Sequence, residues 1–244
     1  PFLARYDRVI VFSKLQADIL IKLGVPAKTL SVIPNGVDTA RWSPAGPSTN
    51  ALLQKNVRQR LGGERIFLYM GRLVTEKNVE ALLRAWRLVS PEGCRLVVVG
   101  DGPLTSNLQN QFSDPQILWW GYEPDLDTRI ALLQCAEVFL LPSLVEGLSL
   151  ALLEAMATGT ACVATDAGAD GEVLAGGAGI VMSTQGVTTQ LRTLLPVLRD
   201  QPVLTAELGR RARERALERY TIGTNIDAIE KLYRDLLDDF RVAA

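Results

Sequence analysis

The chain has 244 residues, of which 48% are hydrophobic, and it carries 26 lysines and arginines against 27 aspartates and glutamates. It is long enough to bury a large core, and its balanced charge argues against nucleic acid as the main partner. The absence of histidine excludes His-based general bases, Ser-His-Asp triads and most zinc sites.

Three cysteines, Cys94, Cys135 and Cys162, lie in apolar surroundings without CxxC spacing, which predicts free thiols in a reducing compartment. No apolar run reaches the roughly 18 residues of a membrane span, and no signal peptide is visible. We therefore expect a cytoplasmic protein, with peripheral attachment to a membrane left open. The first residue is Pro1 rather than Met, so we expect the chain to be a piece of a longer protein.

Short apolar runs alternate with amphipathic stretches along the chain. The runs that predict strands are 8–13, 30–34, 66–70, 95–100, 117–120, 137–142, 161–165 and 179–182. Between Val79 and Val89 the apolar residues recur at helical spacing. Strands that are apolar throughout, with helices between them, predict an α/β fold: a doubly wound, Rossmann-like parallel sheet covered on both faces.

Composition divides the chain into four parts. Residues 1–43 contain one βαβ-like unit, and residues 44–62 begin with a stretch rich in Pro, Gly, Ser and Asn, which predicts a linker or loop. Residues 63–223 predict a full doubly wound domain, and residues 224–244 predict a terminal amphipathic helix.

Two loops beyond predicted strands carry residues that suit an anion. In the first, Gly71 and Arg72 precede Lys77, which lies near the start of a helix with Thr75 as a candidate N-cap. Cations are disfavoured at a helix N-terminus, so a bound phosphate would resolve the conflict. The alternative is that Glu76 neutralises Lys77 and both are solvated.

The second loop leads into an unusually apolar helix. The amides of Gly147, Leu148 and Ser149 predict an anion cradle just before this helix, and Glu154 lies one to two turns inside it. A buried carboxylate needs partners. Either Glu154 pairs with a buried arginine or the backbone, or it accepts hydrogen bonds from two hydroxyl groups of a ribose. Glu146 is either a sugar contact or an acidic residue favoured by the helix dipole.

A third loop contains only part of a dinucleotide-binding fingerprint. Gly100 and Gly102 form a GxG turn, but Thr105 stands where the third glycine belongs, which counts against a dehydrogenase. Trp119, Trp120 and Tyr122 flank the end of the next predicted strand. They serve either in core and loop packing or as a platform for a nucleobase.

Taken together, four motifs in order resemble family 4 of the retaining, nucleotide-sugar-dependent glycosyltransferases (glycosyl transferases group 1), which have the GT-B fold. The motifs are "VIPNGVD" (32–38), "GRLVTEKN" (71–78), "VVGDGP" (98–103) and "PSLVEGLSLALLEAMATGTACVATDAG" (142–168), the last with the family's E-x7-E pattern. The resemblance covers nearly the whole chain. It implies the C-terminal, donor-binding half of a GT-B enzyme, with residues 1–43 as the remnant of a missing N-terminal, acceptor-side domain.

The resemblance also implies a role for each candidate residue. Arg72, Lys77 and Glu146 would be the catalytic residues: the two cations bind the donor diphosphate, and the carboxylate contacts hydroxyls of the sugar. The remaining residues implied to bind the donor are Gly71, Tyr122, Gly147, Leu148, Ser149 and Glu154, with the carboxylate of Glu154 on the ribose.

The implied reaction is transfer of a hexose from a UDP- or GDP-sugar, with retention of configuration, to a lipid, glycan or small-molecule acceptor. The resemblance implies no catalytic metal and no cofactor beyond the donor, with the diphosphate as leaving group and candidate base. This fragment alone is expected to be inactive. Two rivals stay open: a nucleotide-sugar epimerase of the same fold, and a non-catalytic nucleotide-sugar-binding domain.

Overall fold

The computed structural model describes residues 2–46, 49–62 and 65–243, with side chains as far as residue 238. Its strands are β1 (Val9–Val11), β2 (Leu30–Val32), β3 (Arg65–Met70), β4 (Cys94–Val99), β5 (Ile117–Gly121), β6 (Val138–Leu141), β7 (Ala161–Thr165) and β8 (Ile180–Met182). Each lies within or within two residues of a predicted run, so the strand predictions are confirmed.

The helices fill the segments between the strands and follow the last one. They are α1 (Lys14–Lys22), α2 (Ala51–Leu61), α3 (Val79–Val89), α4 (Thr105–Gln111), α5 (Leu126–Cys135), α6 (Leu150–Ala157), α7 (Asp170–Leu174), α8 (Val187–Asp200), α9 (Pro202–Arg219) and α10 (Ile222–Ala243). The expected terminal helix is α10, which begins two residues earlier than predicted. No helix in the described part of the chain combines the length and apolar character needed to cross a membrane.

The predicted linker 44–62 is largely helical. Its second half forms α2, which Asn50 begins by accepting a hydrogen bond from the Leu53 amide and which packs against α5. The Pro/Gly/Ser-rich residues before Asn50 concealed this helix, because they suggested a loop for the whole segment. Residues 47, 48, 63 and 64 lie outside the described residues, as do 1 and 244, so the predicted start of the next domain at residue 63 is not described. The division into domains stays a prediction.

All strand pairs are parallel and form two sheets. β1 pairs with β2, and the larger sheet has the order β5-β4-β3-β6-β7-β8. Chain order therefore reverses between β3 and β6, the kind of crevice in which open α/β sheets bind ligands. The larger sheet is buried on both faces: Phe67 of β3, for example, is fully buried and meets the ring of Trp86 on α3 edge-on at 5.5 Å.

The first forty residues are held against loops of the larger sheet. The carboxylate of Glu172 accepts hydrogen bonds from the backbone amides of Lys14 and Leu15, at 3.3 and 3.2 Å. The side-chain amide of Gln16 donates to the carbonyl of Gly147 at 2.9 Å. The small sheet β1–β2 thus borders the loop in which Gly147 lies.

Candidate functional site

A cleft of about 230 Å³ opens at the carboxyl ends of β3, β4 and β5. Its walls include Gly71, Arg72, Gly100, Asp101, Tyr122, Glu123, Arg129 and Ala151. Three residues predicted to bind a donor, Gly71, Arg72 and Tyr122, therefore share one cleft, because the parallel strands β3 and β5 end at the same edge of the sheet.

The floor of the cleft depends on close contact between the ends of β3 and β4. Gly100 has a φ of 128°, and a Cβ atom there would lie 1.9 Å from the carbonyl oxygen of Gly71. The hydroxyl of the buried Tyr69 donates to the carbonyl of Arg72 at 2.8 Å. These contacts fix the backbone at Arg72, whose exposed side chain has no ion pair among the described residues.

The loop after Gly71 is not capped as predicted. Thr75–Lys77 form a 3-10 turn, and Asn78 takes the left-handed conformation (φ 50°, ψ 34°) before α3 begins at Val79. The proposed N-cap role of Thr75 is therefore wrong, because the intervening turn separates it from the helix. Sequence spacing placed the helix start correctly to within a few residues but did not reveal the turn.

Lys77 is paired across the site rather than with its neighbour. Its ammonium forms an ion pair with Glu146, to which the hydroxyl of Ser143 also donates at 2.7 Å. The side chain of Glu146 is only 9% exposed. The alternative in which Glu76 neutralises Lys77 is therefore wrong, and Lys77 and Glu146 are brought together although 69 positions separate them.

The loop before α6 is arranged as an N-terminal cap. The hydroxyl of Ser149 accepts from the amide of Leu152 at 3.3 Å, so the helix begins where predicted. The amide of Ser149, however, donates to Oδ1 of Asp170 at 2.9 Å. The expectation that this amide is free for an anion is therefore wrong, because a carboxylate of the protein already occupies it.

Asp170 binds the loop of the predicted anion cradle, a contact that sequence reasoning missed. It is fully buried, and its second carboxylate oxygen, Oδ2, has no hydrogen-bond partner among the described residues. Burial raises the pKa of this carboxyl to about 7, and the charge of Glu146 contributes in the same direction. The amide of Ser149 and the charge of Lys77 act in the opposite sense.

Glu154 forms an ion pair with an arginine. Nη2 of Arg129, on α5, donates to both of its carboxylate oxygens at 3.2 and 3.0 Å, and 14% of the Glu154 side chain is exposed. Burial raises the pKa of Glu154, whereas Arg129 lowers it. The arginine-paired alternative is thus present, and contact with a ribose stays a prediction. The solitary carboxylate in an apolar helix signalled the need for a partner, but nothing local identified Arg129.

The aromatic residues after β5 divide between packing and the cleft. Trp120 is 8% exposed, with the guanidinium of Arg60 lying 3.6 Å from its ring centroid and its Nε1 donating to Glu123 at 2.9 Å. Tyr122 is 73% exposed and lines the cleft. Trp120 therefore serves in packing, whereas Tyr122 is the aromatic side chain among the described residues that line the cleft. Its contact with a base stays a prediction.

Among the residues that the structure describes, no group of three or more His, Cys, Asp or Glu side chains lies close enough together to hold a metal ion. Catalysis without a metal stays a prediction.

Two family models match separate segments of the chain. Residues 64–200 match the model described as "Glycosyl transferases group 1", and residues 1–41 match that described as "Glycosyltransferase Family 4". The chain belongs to the glycosyl transferases group 1 family. The expected resemblance to family 4 and its GT-B fold is therefore confirmed.

Similar proteins of this glycosyl transferase family are longer than the chain. It is 27% identical to the UDP-Gal:alpha-D-GlcNAc-diphosphoundecaprenol alpha-1,3-galactosyltransferase of Escherichia coli, with 94% of this chain and 60% of that protein covered. It is 28% identical to the alpha-maltose-1-phosphate synthase of Mycolicibacterium smegmatis, with 93% and 63% covered. The chain thus spans about three fifths of these two relatives.

The same fold recurs in a solved structure of a complex. The crystal structure of Anabaena Alr3699/HepE in complex with UDP-glucose superimposes with a TM-score of 0.80 at 20% identity, covering 95% of this chain and 65% of that one. This likeness confirms the Rossmann-like fold expected for half of a GT-B glycosyl transferase.

Proposed function

We propose that the chain is the donor-binding half of a glycosyltransferase that moves a hexose from a nucleoside-diphosphate sugar to an acceptor. The observation that carries this proposal is the shared cleft: Arg72, Tyr122 and the arginine paired with Glu154 all line it. One cleft thus offers a cation for phosphate, an aromatic face for a base and a carboxylate close by for a ribose.

Arg72 and Lys77 are proposed to bind the donor diphosphate. Arg72 is exposed at the cleft and has no ion pair among the described residues, so its guanidinium is available to phosphate oxygens. Lys77 is engaged with Glu146. When a diphosphate attracts the ammonium, the carboxylate of Glu146 is released to accept hydrogen bonds from hydroxyls of the donor sugar.

The donor base is proposed to be uracil. One relative carries "UDP-Gal" in its name, and the superimposed structure is a complex with UDP-glucose. Tyr122 would stack against the base, while Glu154 would accept the ribose hydroxyls. GDP is the alternative that the binding experiment below distinguishes.

The reaction is proposed to retain the anomeric configuration. The bond between C1 of the sugar and the phosphate oxygen breaks, and the acceptor oxygen bonds to C1 on the same face. The acceptor proton passes to the departing diphosphate, whose growing negative charge Arg72 and Lys77 stabilise. This scheme uses no metal ion and no cofactor other than the donor.

The acceptor is proposed to bind mainly outside this chain. The relatives are longer, and the small β1–β2 sheet provides a surface next to Gly147 on which an N-terminal, acceptor-side domain could build. A lipid, a glycan or a small molecule stays open as acceptor. Neither of the two curated relatives named above is an epimerase, so the comparisons give that rival no support.

Calorimetric titration of this chain with UDP, GDP and ADP tests the proposal. We expect one nucleotide to bind, and we expect Arg72→Ala to weaken it about tenfold or more, because a charge-assisted contact to phosphate is lost. Arg84→Ala is the matched control, since Arg84 pairs with Glu80 on the exposed face of α3. Flat isotherms with all three nucleotides would reject the function.

Activity requires the longer protein that carries the acceptor domain. We expect hexose transfer from the preferred donor there, with the anomeric configuration of the product assigned by NMR coupling constants. A product of inverted configuration would reject retention while leaving the transferase assignment intact.

A further inference from the structure

Arg129 connects Glu154 with the cleft. It lines the cleft and at the same time donates two hydrogen bonds from Nη2 to the Glu154 carboxylate. Its guanidinium carbon lies 5.4 Å from the ring centroid of Trp42, which is 5% exposed. The arginine is thus held from one side by a buried ring and reaches the carboxylate on the other.

The pair leaves the carboxylate able to accept more hydrogen bonds. An ionised carboxylate has about four acceptor positions, and Arg129 uses one on each oxygen. Arg129 therefore leaves one acceptor position on each oxygen unused. Two neighbouring hydroxyl groups, such as those of a ribose, match that arrangement.

Without Arg129 the same carboxylate would be poorly suited to this task. Glu154 lies in a helix whose Leu152, Leu153, Ala155 and Met156 are fully buried. Burial alone raises the pKa of Glu154, and Arg129 is the group whose charge and hydrogen bonds oppose that rise. Arg129 therefore favours the ionised carboxylate, whose two oxygens can both accept hydrogen bonds.

We propose that Arg129 is a positioning residue that orients the ionised Glu154 toward the cleft and so makes the site selective for ribonucleotides over 2′-deoxyribonucleotides. The inference rests on the proposed function, because it needs a nucleotide in this cleft. Arg129 adds α5 to the elements that supply the proposed donor-binding residues, which are otherwise the loops after β3, β5 and β6 and helix α6.

The test compares the affinities of UDP and 2′-deoxy-UDP for this chain by calorimetry, with GDP or ADP and its 2′-deoxy form if that nucleotide binds more tightly. We expect the unaltered chain to prefer the ribonucleotide about tenfold or more, since a hydrogen bond to a charged group is lost with the 2′-hydroxyl. In Arg129→Met the preference falls below about threefold. Arg129→Lys retains the charge but not the planar fork, and should restore part of the preference.

Two further variants separate positioning from general damage. Arg41→Met removes another arginine near α5, one that pairs with Asp127 and not with Glu154, and it should leave the preference unchanged. In a Glu154→Gln background, adding Arg129→Met should reduce the preference no further, because the carboxylate that the arginine positions is already gone. If Arg129→Met does not fold, Arg129→Lys is tested in its place, alone and combined with Glu154→Gln.

The outcomes distinguish failure of this inference from failure of the proposed function. If no nucleotide binds the unaltered chain, the proposed function fails and the inference with it. If the unaltered chain binds UDP without ribose preference, or if Arg129→Met keeps the full preference, the inference is overturned while donor binding stands.

Discussion

Oδ1 of Asp170 lies 2.9 Å from the backbone nitrogen of Ser149, so a buried carboxylate binds the amide at the start of α6. Its other oxygen has no hydrogen-bond partner among the described residues. A carboxylate in this position is costly to ionise, because burial removes water and Glu146 adds a second negative charge nearby.

The pH dependence of folding should therefore change in Asp170→Asn. The folded-state pKa of Asp170 is raised from 3.8 to about 7. Between these values the folded protein binds more protons than the unfolded chain, so its free energy of unfolding falls as the pH rises, and above about 7 the loss is complete. We expect ionisation of Asp170 to lower the free energy of unfolding by roughly 3 kcal/mol between pH 5 and pH 8. In Asp170→Asn this decrease should be absent.

Urea unfolding of both proteins across this pH range measures the difference. Burial also raises the pKa of Glu154, so the unaltered and variant proteins share that part of the pH dependence and subtraction removes it. Parallel curves for the two proteins would contradict the assignment to Asp170.

Lys77→Met should weaken nucleotide binding in a way that depends on the diphosphate. We expect the affinity for UDP to fall about tenfold, because a cation is lost from the phosphate site, whereas uridine binds as weakly as before. Lys55→Met, which removes an exposed lysine on α2, is the control. An equal loss for uridine and UDP would show that Lys77 does not face the phosphates.

Tyr122→Ala should reduce affinity without reducing stability. The ring is 73% exposed, so its removal costs little packing. We expect the dissociation constant of UDP to rise about fivefold or more, since stacking of one base on an aromatic side chain contributes about 1–3 kcal/mol. Tyr233→Ala on α10 removes another exposed ring, 63% exposed, as a matched control. Unchanged affinity in Tyr122→Ala would move the base away from this residue.

Gly100→Ala should destabilise the protein by at least about 2 kcal/mol more than Gly93→Ala. Both glycines have positive φ, 128° and 71°, so both variants carry backbone strain. A Cβ atom at Gly100 meets the carbonyl of Gly71, whereas one at Gly93 meets nothing within 4 Å. Chemical denaturation compares them, and equal losses would show that the ends of β3 and β4 can separate at little cost.

The strands and most helices could be predicted because burial on both faces leaves a continuous apolar pattern in each strand. The cleft followed from the same pattern, since parallel strands end at one edge of the sheet. α2 was missed although Leu53, Val57 and Leu61 recur at every fourth position, because the Pro- and Gly-containing residues before it suggested a loop for the whole segment.

The pairings within the site could not be predicted in the same way. Arg129 and Glu154 are separated by 25 positions, and Asp170 and Ser149 by 21, so no local spacing connects them. Each contact depends on how two loops or helices pack in three dimensions. The sequence could show that Glu154 needed a partner, but only the fold decides which cation reaches it.

The ion pair between Lys77 and Glu146 has a consequence for which anions the protein can hold. A small monovalent anion brings the same single negative charge to Lys77 that Glu146 already supplies. If such an anion displaced Glu146, the buried carboxylate would lose its counter-charge. If the donor diphosphate binds as proposed, a doubly charged group that reaches both Lys77 and Arg72 would compensate for that loss. We therefore expect chloride and other monovalent salts to leave the ion pair intact and only polyanions to exchange with Glu146.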